Sequence, residues 1–237
     1  MSDKTAYVHR AFSAIAGRYD LLNTMLSFNQ DRRWRRSTVS ALGLRGSEAV
    51  LDVATGTGKL AEELEKKMGA GGRVVGIDFC EKMLQKARVQ TVDTKLVLAT
   101  SEVLPFPDNT FDGATIGFAL RNVPDVERTL RETTRAIKPG GRVVCLEFSR
   151  PRHPLMRRLH QFYLLHILPI VGRLISGDRE AYVYLPHSIM EFPSSEDVKQ
   201  MMEQVGLEEV HFRFLTWGVV AIYVGTKQKT PHSRLSP

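Results

Sequence analysis

Residues 50–61 are Val50-Leu51-Asp52-Val53-Ala54-Thr55-Gly56-Thr57-Gly58-Lys59-Leu60-Ala61, an apolar run that leads into two glycines and then into a helical pattern. Gly56 and Gly58 can adopt positive φ angles and leave their backbone open to the close approach of a ligand. A helix that begins directly after them points its free N–H groups into the turn. The stretch therefore predicts the nucleotide-binding corner of a doubly wound α/β fold.

A second acid at a strand end strengthens this prediction. Asp52 lies at the end of the first strand, and Asp78 ends the next one, 73–78, where folds of this kind hydrogen-bond the ribose of a cofactor. A glycine turn is weak support on its own, because such turns follow many strands for steric reasons. The two acids favour a nucleoside-type cofactor over a purely structural turn.

Strands and helices are predicted to alternate through the rest of the chain. The expected strands are 49–54, 73–78, 94–99, 113–118, 142–148, 207–214 and 219–226, and the expected helices are 58–68, 81–90, 126–137 and 194–205. This order predicts a mostly parallel seven-stranded sheet that has helices on both faces and ends in an antiparallel hairpin. Ligands of such sheets bind beyond the carboxyl ends of the strands, so the polar residues there are expected along one edge.

The composition is that of an ordinary globular protein. The 237 residues, 43% hydrophobic and 25% charged, suit a single domain over 1–227 with a flexible tail at 228–237. Two cysteines fit a reducing cytoplasm, and we expect neither a secretory signal nor a membrane-spanning helix. The net charge of +7 is compatible with nucleic acid, a lipid surface or an acidic metabolite as partner. The histidines show no ligand-like spacing, so no metal site is predicted.

Two segments outside the alternating core are predicted to form helical caps. Residues 7–42 have apolar positions at helical spacing, and the basic run 31–36 within them is interpreted as a solvated face for most of its arginines. The insertion 150–192 is too short and interrupted to span a bilayer. Its apolar helices would pack as ordinary core, cover an apolar substrate or touch an anionic membrane. The domain then divides into an N-terminal cap 1–46, a cofactor-binding core 47–149, a substrate-cap insertion 150–192, and a C-terminal helix and hairpin 193–227.

An acid before the glycine turn, together with a final hairpin, favours a class I S-adenosylmethionine-dependent methyltransferase over an NAD enzyme. Further segments are more specific: Tyr19-Asp20-Leu21-Leu22-Asn23 with Leu26-Ser27 and Trp34, Leu104–Phe111, Phe118–Val123, Arg142–Arg150 with Pro151 and Pro154, and Leu215-Thr216 with Gly218–Ala221. With Val50–Gly58, they make the chain resemble the ubiquinone/menaquinone C-methyltransferase family (UbiE/MenG type) across nearly its full length. The chain has Asn29, Asp31 and Lys59 where members usually have a glycine, a histidine and an acid.

The resemblance implies S-adenosylmethionine as cofactor, and the residues suggest how it is held. Asp78 can accept hydrogen bonds from both ribose hydroxyls. The backbone of 56–58 would cradle the methionine end, while Thr100 and Ser101 would face the adenine edge or simply cap the following turn. The expected cofactor-binding residues are Asp52, Gly56, Thr57, Gly58, Asp78, Thr100, Ser101 and Gly117.

The resemblance also implies C-methylation of a demethylmenaquinol, or the related step in ubiquinone synthesis. Arg121 is the candidate that stabilises the developing phenolate, with Asn122 orienting the hydroxyl or a water. A structural ion pair with a neighbouring carboxylate is the alternative for Arg121. If proton removal needs a base, it would be Asp20, or water held by Arg121 and Asn122. Tyr19 and Asn23 would close the substrate side.

The expected partners follow from this substrate. A prenylated hydroquinone would bind beneath the caps, and the protein would contact the cytoplasmic face of the membrane peripherally. A homodimer is possible on this sequence, and no nucleic-acid partner is expected. Three other functions remain as alternatives: methylation of RNA or of another small molecule, a non-catalytic lipid-binding subunit with the same fold, and a hydride-transfer enzyme.

Overall fold

The structure is a computed structural model that describes residues 8–10, 12–13, 16–17, 19–168, 170 and 180–229. In these residues seven strands form one sheet in the order β3-β2-β1-β4-β5-β7-β6. Strands β1 to β5 pair in parallel, whereas β7 pairs antiparallel with both β5 and β6. The predicted fold class is confirmed. The strands are β1 Ala49–Val53, β2 Arg73–Asp78, β3 Lys95–Leu98, β4 Phe111–Gly117, β5 Ile137–Phe148, β6 Leu207–Leu215 and β7 Val220–Lys227.

Helices connect the strands and cover the sheet. Helix α6 continues into a π-helical turn, Tyr163–Ile167, and a short 3-10 turn, Thr216–Gly218, joins β6 to β7. The predicted helix 81–90 has those bounds in the structure. The helices are α1 Tyr19–Leu26, α2 Gln30–Leu42, α3 Lys59–Glu65, α4 Glu81–Gln90, α5 Val126–Ala136, α6 Pro154–Phe162, α7 Glu180–Glu191 and α8 Ser195–Gln204.

Two predicted elements differ from those observed. The long helix 7–42 is broken at Phe28 and Asn29, whose φ angles of 52° and 62° are left-handed and end one helix before the next begins. The fifth strand begins at Ile137 rather than at residue 142. Ile137 pairs with Phe111, and the register between the two strands shifts after this pair. Both side chains are buried, so residues 137–141, which the sequence placed before the strand, extend it instead. Residues 230–237 of the predicted tail lie outside the described residues.

The core consists of two apolar layers, one on each face of the sheet. Strand β1 is buried throughout, as expected of a parallel strand covered on both sides. Leu51 and Val53 belong to the layer that includes α5 and α8, while Val50 belongs to the layer that includes α2 and α3. Because β1 is buried and pairs with a parallel strand on each side, the glycine corner that follows it lies in the interior of the sheet.

The two predicted cap segments meet above one edge of the sheet. The hydroxyl of Tyr163, directly after α6, donates to the backbone oxygen of Leu26 in α1 at 2.7 Å. Leu26 also packs with Leu164, Leu168 and Ile189, which joins α1, the π-helical segment after α6, and α7 in one cluster. The insertion thus contains the expected helices α6 and α7; its residues 169 and 171–179 are outside the described part.

Candidate active site

Asp78 closes the glycine corner between β1 and α3. Its Oδ2 accepts the backbone N–H of Gly56 and its Oδ1 accepts that of Cys80, each at 2.8 Å. Burial raises the pKa of Asp78, although these backbone donors act in the opposite direction. Because each carboxylate oxygen has two lone pairs, Asp78 can still accept hydrogen bonds from a ligand.

Asp52 and Gly58 support the corner from behind and do not line a cavity in the described residues. The carboxylate of Asp52 accepts hydrogen bonds of 2.6 Å from the hydroxyls of Thr55 and Thr115. Burial raises the pKa of Asp52 to about 6. A Cβ on Gly58 would lie 3.1 Å from Cβ of Ala87, so the glycine allows α3 to approach α4 closely.

A cavity opens in front of the corner, beyond the carboxyl ends of β1, β2 and β4, and we call it the corner cavity. A Cβ on Gly56, whose φ is 58°, would meet nothing within 4 Å, so this backbone is open to a ligand. Lys59 also lines the cavity, and its Nζ lies 2.7 Å from Oε1 of Gln90. Six predicted cofactor residues line it: Gly56, Thr57, Asp78, Thr100, Ser101 and Gly117.

A second cavity of about 310 Å³, which we call the chamber, lies under the caps. A largely apolar lining with a few polar groups is typical of small-molecule sites. The apolar lining includes Leu26, Trp34, Phe118, Phe148, Met156, Tyr163, Leu164, Leu168, Leu185 and Ile189. The polar residues that line the chamber include Asn23, Ser27, Gln30, Asp31, Arg35, Arg121, Asn122, His160 and Thr216.

The two cavities meet at a junction whose residues line both of them: Phe12, Tyr19, Arg35, Phe118 and Asn122. The side-chain nitrogen of Asn122 donates to the backbone oxygen of Phe118 at 3.2 Å. Its buried Oδ1 finds no hydrogen-bond partner among the described residues. An unsatisfied buried acceptor costs about 1–3 kcal/mol, so a ligand that donates to Asn122 would be favoured here.

The structure shows Arg121 in the ion pair that the sequence left as one of its two alternatives. Its Nη1 donates to Oε1 of Glu147 at 2.6 Å and to the backbone oxygen of Phe118 at 2.8 Å. The guanidinium carbon lies 5.0 Å from the ring centroid of Phe148, and Nε is buried with no partner in the described part of the chain. Arg121 therefore forms a structural ion pair, lines the chamber and keeps one buried N–H donor that no described residue accepts.

Asp20 and Tyr19 occupy different positions although they are adjacent in α1. Tyr19 lines both cavities. Oδ1 of Asp20 accepts the hydroxyl of Thr57 at 2.6 Å, which fastens α1 to the glycine corner. Among the described residues, Asp20 is not part of either cavity lining. The structure thus brings Tyr19, Asn23, Arg121 and Asn122 to the chamber, but not Asp20.

Sequence reasoning missed a buried ion pair within the basic run of α2. Nη1 of Arg35 lies 3.3 Å from Oδ2 of Asp31, and both side chains are less than a tenth exposed. Arg32, Arg33 and Arg36 are exposed, as the interpretation of a solvated face predicts. The opposite charges of Asp31 and Arg35 at i and i+4 were the available signal, since such pairs share a helix face.

A model of the ubiE/COQ5 methyltransferase family matches residues 1–227. The chain belongs to this family. The resemblance inferred from the sequence motifs is therefore confirmed, and the protein is an S-adenosylmethionine-dependent C-methyltransferase.

Two relatives agree with this membership in the ubiE/COQ5 family, and a solved structure agrees with the fold. The ubiquinone/menaquinone biosynthesis C-methyltransferase UbiE of Geobacter sp. (strain M21) is 46% identical over 233 residues, covering 96% of this chain and 99% of that protein. The demethylmenaquinone methyltransferase of Staphylococcus aureus (strain JH9) is 42% identical over 225 residues, covering 94% and 93%. A SAM-dependent methyltransferase from Thermotoga maritima has a similar structure, with a TM-score of 0.63 and 22% identity over 93% of this chain and 100% of that one. At this identity the last comparison concerns the fold alone.

The corner cavity has the chemistry that the cofactor of the ubiE/COQ5 family requires. Asp78 offers carboxylate lone pairs for a ribose, and the open backbone at Gly56 admits close approach. Phe79 and Met83 provide apolar surface beside these polar groups for a purine ring. In the part of the chain that the structure describes, no group of three or more His, Cys, Asp or Glu side chains could hold a metal ion.

Proposed function

We propose that this protein methylates a ring carbon of a demethylated prenyl-hydroquinone, converting demethylmenaquinol to menaquinol or acting on the corresponding ubiquinone-pathway intermediate. The observation that carries the proposal is the apolar chamber that joins the corner cavity at a shared junction. The chamber suits an aromatic ring with an apolar tail, and the names of the curated relatives point to the same substrates. In this proposal, residues 1–46 and 150–192 are the caps of a single methyltransferase domain.

The corner cavity would hold S-adenosylmethionine, which supplies an electrophilic methyl group when bound. Asp78 would accept the ribose hydroxyls, since its carboxylate keeps free lone pairs. The backbone of Gly56 and Thr57 would hold the amino-acid end. Thr100 and Ser101 would face the adenine. Asp52 and Gly58 would keep the corner in the conformation that these contacts need.

On the chamber side, Arg121 would stabilise the negative charge that develops on the hydroquinone oxygen. Its unpartnered Nε is a buried donor beside a cavity with little polar surface, where such a donor acts more strongly than in water. Asn122 would accept a hydrogen bond from the hydroxyl through its free Oδ1. Tyr19, at the junction, would close the side of the substrate that faces the cofactor.

A methyl-transfer assay tests the proposed function. The protein is incubated with labelled S-adenosylmethionine and either reduced demethylmenaquinone or a reduced demethoxyubiquinone analogue, and the products are separated. Incorporation of label into a quinol ring is the expected result. Label in RNA or in a soluble metabolite instead would contradict it, and absence of any S-adenosylmethionine binding in equilibrium dialysis would favour the non-catalytic subunit.

We propose in addition that α6 places the chamber against the inner face of the cytoplasmic membrane. Leu155, Leu159 and Phe162 recur at helical spacing and are each more than half exposed, whereas His160 on the same helix lines the chamber. Arg157 and Arg158 are exposed beside the apolar stripe and would meet anionic headgroups. No helix among the described residues is long and apolar enough to cross a bilayer. One helix would thus face both the lipid and the substrate.

Flotation with liposomes tests the membrane contact. Binding to anionic liposomes at low salt is expected, together with its loss in the variant Leu159→Ser/Phe162→Ser. Val89→Ser is the matched control, because Val89 is an exposed apolar residue on α4, a helix that belongs to neither cap. If the protein does not float at low salt, the membrane contact is ruled out. If instead the protein forms concentration-dependent dimers and the double variant does not, the apolar stripe of α6 contacts a second copy of the chain.

A further inference from the structure

Among the described residues that line the chamber, Asp31 is the one carboxylate. Its Oδ2 lies 3.3 Å from Nη1 of Arg35 and its Oδ1 accepts the hydroxyl of Ser27 at 3.2 Å. The side chain is 8% exposed, and both contacts are long. A carboxylate has about four lone-pair sites, so Asp31 retains acceptor capacity that faces the chamber.

Asp31 lies on the chamber side of the junction. Arg35, its ion-pair partner, lines both cavities and its guanidinium carbon lies 5.7 Å from the ring centroid of Phe118, another junction residue. A ring carbon that is methylated must lie at this junction. The hydroxyl that activates the carbon is attached to the neighbouring ring atom, so it too lies near the junction and near Asp31.

The other candidate bases are less well placed. Asp20 is hydrogen-bonded by Thr57 and does not line the chamber in the described residues. Glu147 accepts three donors, from the side chain and backbone of Arg121 and from the backbone of Phe148. His160 does line the chamber, but it lies on α6 between Met156 and Leu164, among the apolar residues that suit a prenyl tail.

We propose that Asp31 accepts the proton of the hydroquinol hydroxyl while the ring carbon is methylated; this rests on the proposed function. The ring carbon bonds to the methyl group as the methyl–sulfur bond breaks and its electron pair stays on sulfur. The hydroxyl oxygen becomes a carbonyl oxygen and gives its proton to Asp31. The ring carbon then loses its own hydrogen as a proton and the oxygen is reprotonated. The net products are the methylated hydroquinol, S-adenosylhomocysteine and one proton.

A carboxylate is a sufficient base for this step although the free hydroxyl is weakly acidic. A phenolic hydroxyl has a pKa near 10, whereas the same group on a ring that has lost its aromaticity is far more acidic than a carboxylic acid. The proton therefore becomes transferable as the carbon–carbon bond forms, which is the condition for general base catalysis. The charged or titratable groups that line the chamber together with Asp31 are Tyr19, Arg35, Arg121, His160 and Tyr163, of which Arg35 is its ion-pair partner.

The test compares Asp31→Asn with the parent in the methyl-transfer assay. We expect kcat to fall by about 100- to 1,000-fold, the usual effect of losing a general base, with KM and the Kd of S-adenosylhomocysteine changed by less than about threefold. The residual activity should rise continuously with pH, because only hydroquinol that has already lost its proton can react. The rate of the parent enzyme should depend less steeply on pH over the same range, because its hydroquinol gives up the proton during the reaction.

Two further variants keep the result interpretable. Asp31→His supplies a different base and should recover part of kcat with an acid limb near the imidazole pKa of about 6.5. If circular dichroism shows that Asp31→Asn does not fold, the acid limb of Asp31→His still tests whether a base at position 31 takes part in the reaction. His160→Asn should alter KM without changing the pH profile. An Asp31→Asn enzyme with the parent kcat and pH profile would overturn the inference while leaving the proposed function intact, whereas a parent enzyme inactive on every quinol would refute that function itself.

Discussion

Asp78 holds the corner and would hold the cofactor with the same two oxygens. An asparagine has a single acceptor oxygen, so Asp78→Asn must lose either the Gly56 or the Cys80 hydrogen bond and carries no charge for the ribose. We predict at least a tenfold weaker affinity for S-adenosylhomocysteine, measured by isothermal titration calorimetry. Asp93→Asn is the control, since Asp93 is exposed before β3. Equal affinities of the two variants would show that Asp78 does not contact the ligand.

Asp52 makes the stability of the protein depend on pH. Its raised pKa of about 6 means that the folded state binds the proton more tightly than the unfolded chain, whose value is about 3.9. The contribution is thus fully present at low pH and is lost as the pH rises from about 4 to about 6. We therefore expect the free energy of unfolding of Asp52→Asn, minus that of the parent, to increase by up to about 3 kcal/mol as the pH rises from 4 to 7. Urea denaturation at each pH measures both values.

Asp112→Asn is the control of opposite sign for this pH dependence. Burial acts to raise the pKa of Asp112, but hydrogen bonds from Lys138 and from the backbone of Ala49 outweigh it and lower the pKa. The contribution of Asp112 is therefore lost as the pH falls. A difference between Asp52→Asn and the parent that stays constant from pH 4 to pH 7 would contradict the prediction.

At the scale of elements, α2 is joined to the turn between β6 and β7 by one long-range hydrogen bond. Nε1 of Trp34 donates to the hydroxyl of Thr216 at 2.8 Å across 182 positions of sequence. Thr216 has a φ of 46°, which is costly for a β-branched residue. The hydroxyl offsets this cost, because it satisfies a buried indole and fixes α2 beside the chamber.

Replacement of Thr216 separates the hydrogen bond from the backbone strain. Thr216→Val keeps the branched side chain but removes the acceptor of Trp34, and we expect a loss of about 1–3 kcal/mol in the free energy of unfolding. Thr216→Ser keeps the hydroxyl and relieves the branching, so its stability should equal or exceed that of the parent. Both are measured by urea denaturation; equal losses in the two variants would show that the methyl group, not the hydroxyl, matters here.

At the scale of the whole molecule, the corner cavity and the chamber share the junction residues, while the rest of their walls comes from different parts of the chain. The corner comes from the parallel strands, while the chamber comes largely from α1, α2, α6 and α7. Changes at the α6 side of the chamber should therefore affect the substrate tail without affecting the chemistry at the junction.

A bulky substitution on α6 tests this separation. Met156 lines the chamber, so Met156→Trp should raise KM for a prenylated substrate by about tenfold or more, since added bulk in a filled site costs about 1–3 kcal/mol. The kcat for a tail-less hydroquinone should change by less than about twofold. Met190→Trp is the matched control, because Met190 is exposed on α7. Equal losses with both substrates would mean that the tail does not occupy this side.

The sequence by itself determined the sheet, the glycine corner and the residues that line it. Apolar strands, glycine turns and helix stops are local patterns, so 81–90 was predicted with its observed bounds and Asp78 at its observed position. Arg121 and Asn122 were predicted from the segment that follows β4, and both line the chamber.

Only the tertiary structure decided which polar groups meet. Asp31 and Arg35 belong to a basic run that periodicity interprets as solvated, yet both are buried, and the guanidinium of Arg35 lies over the ring of Phe118. Asp20 was the carboxylate that the sequence suggested as a base, but its Oδ1 accepts the hydroxyl of Thr57 at the glycine corner. Side-chain spacing reports the face of a helix on which a residue lies; whether that face meets water or a cavity depends on segments far away in the chain.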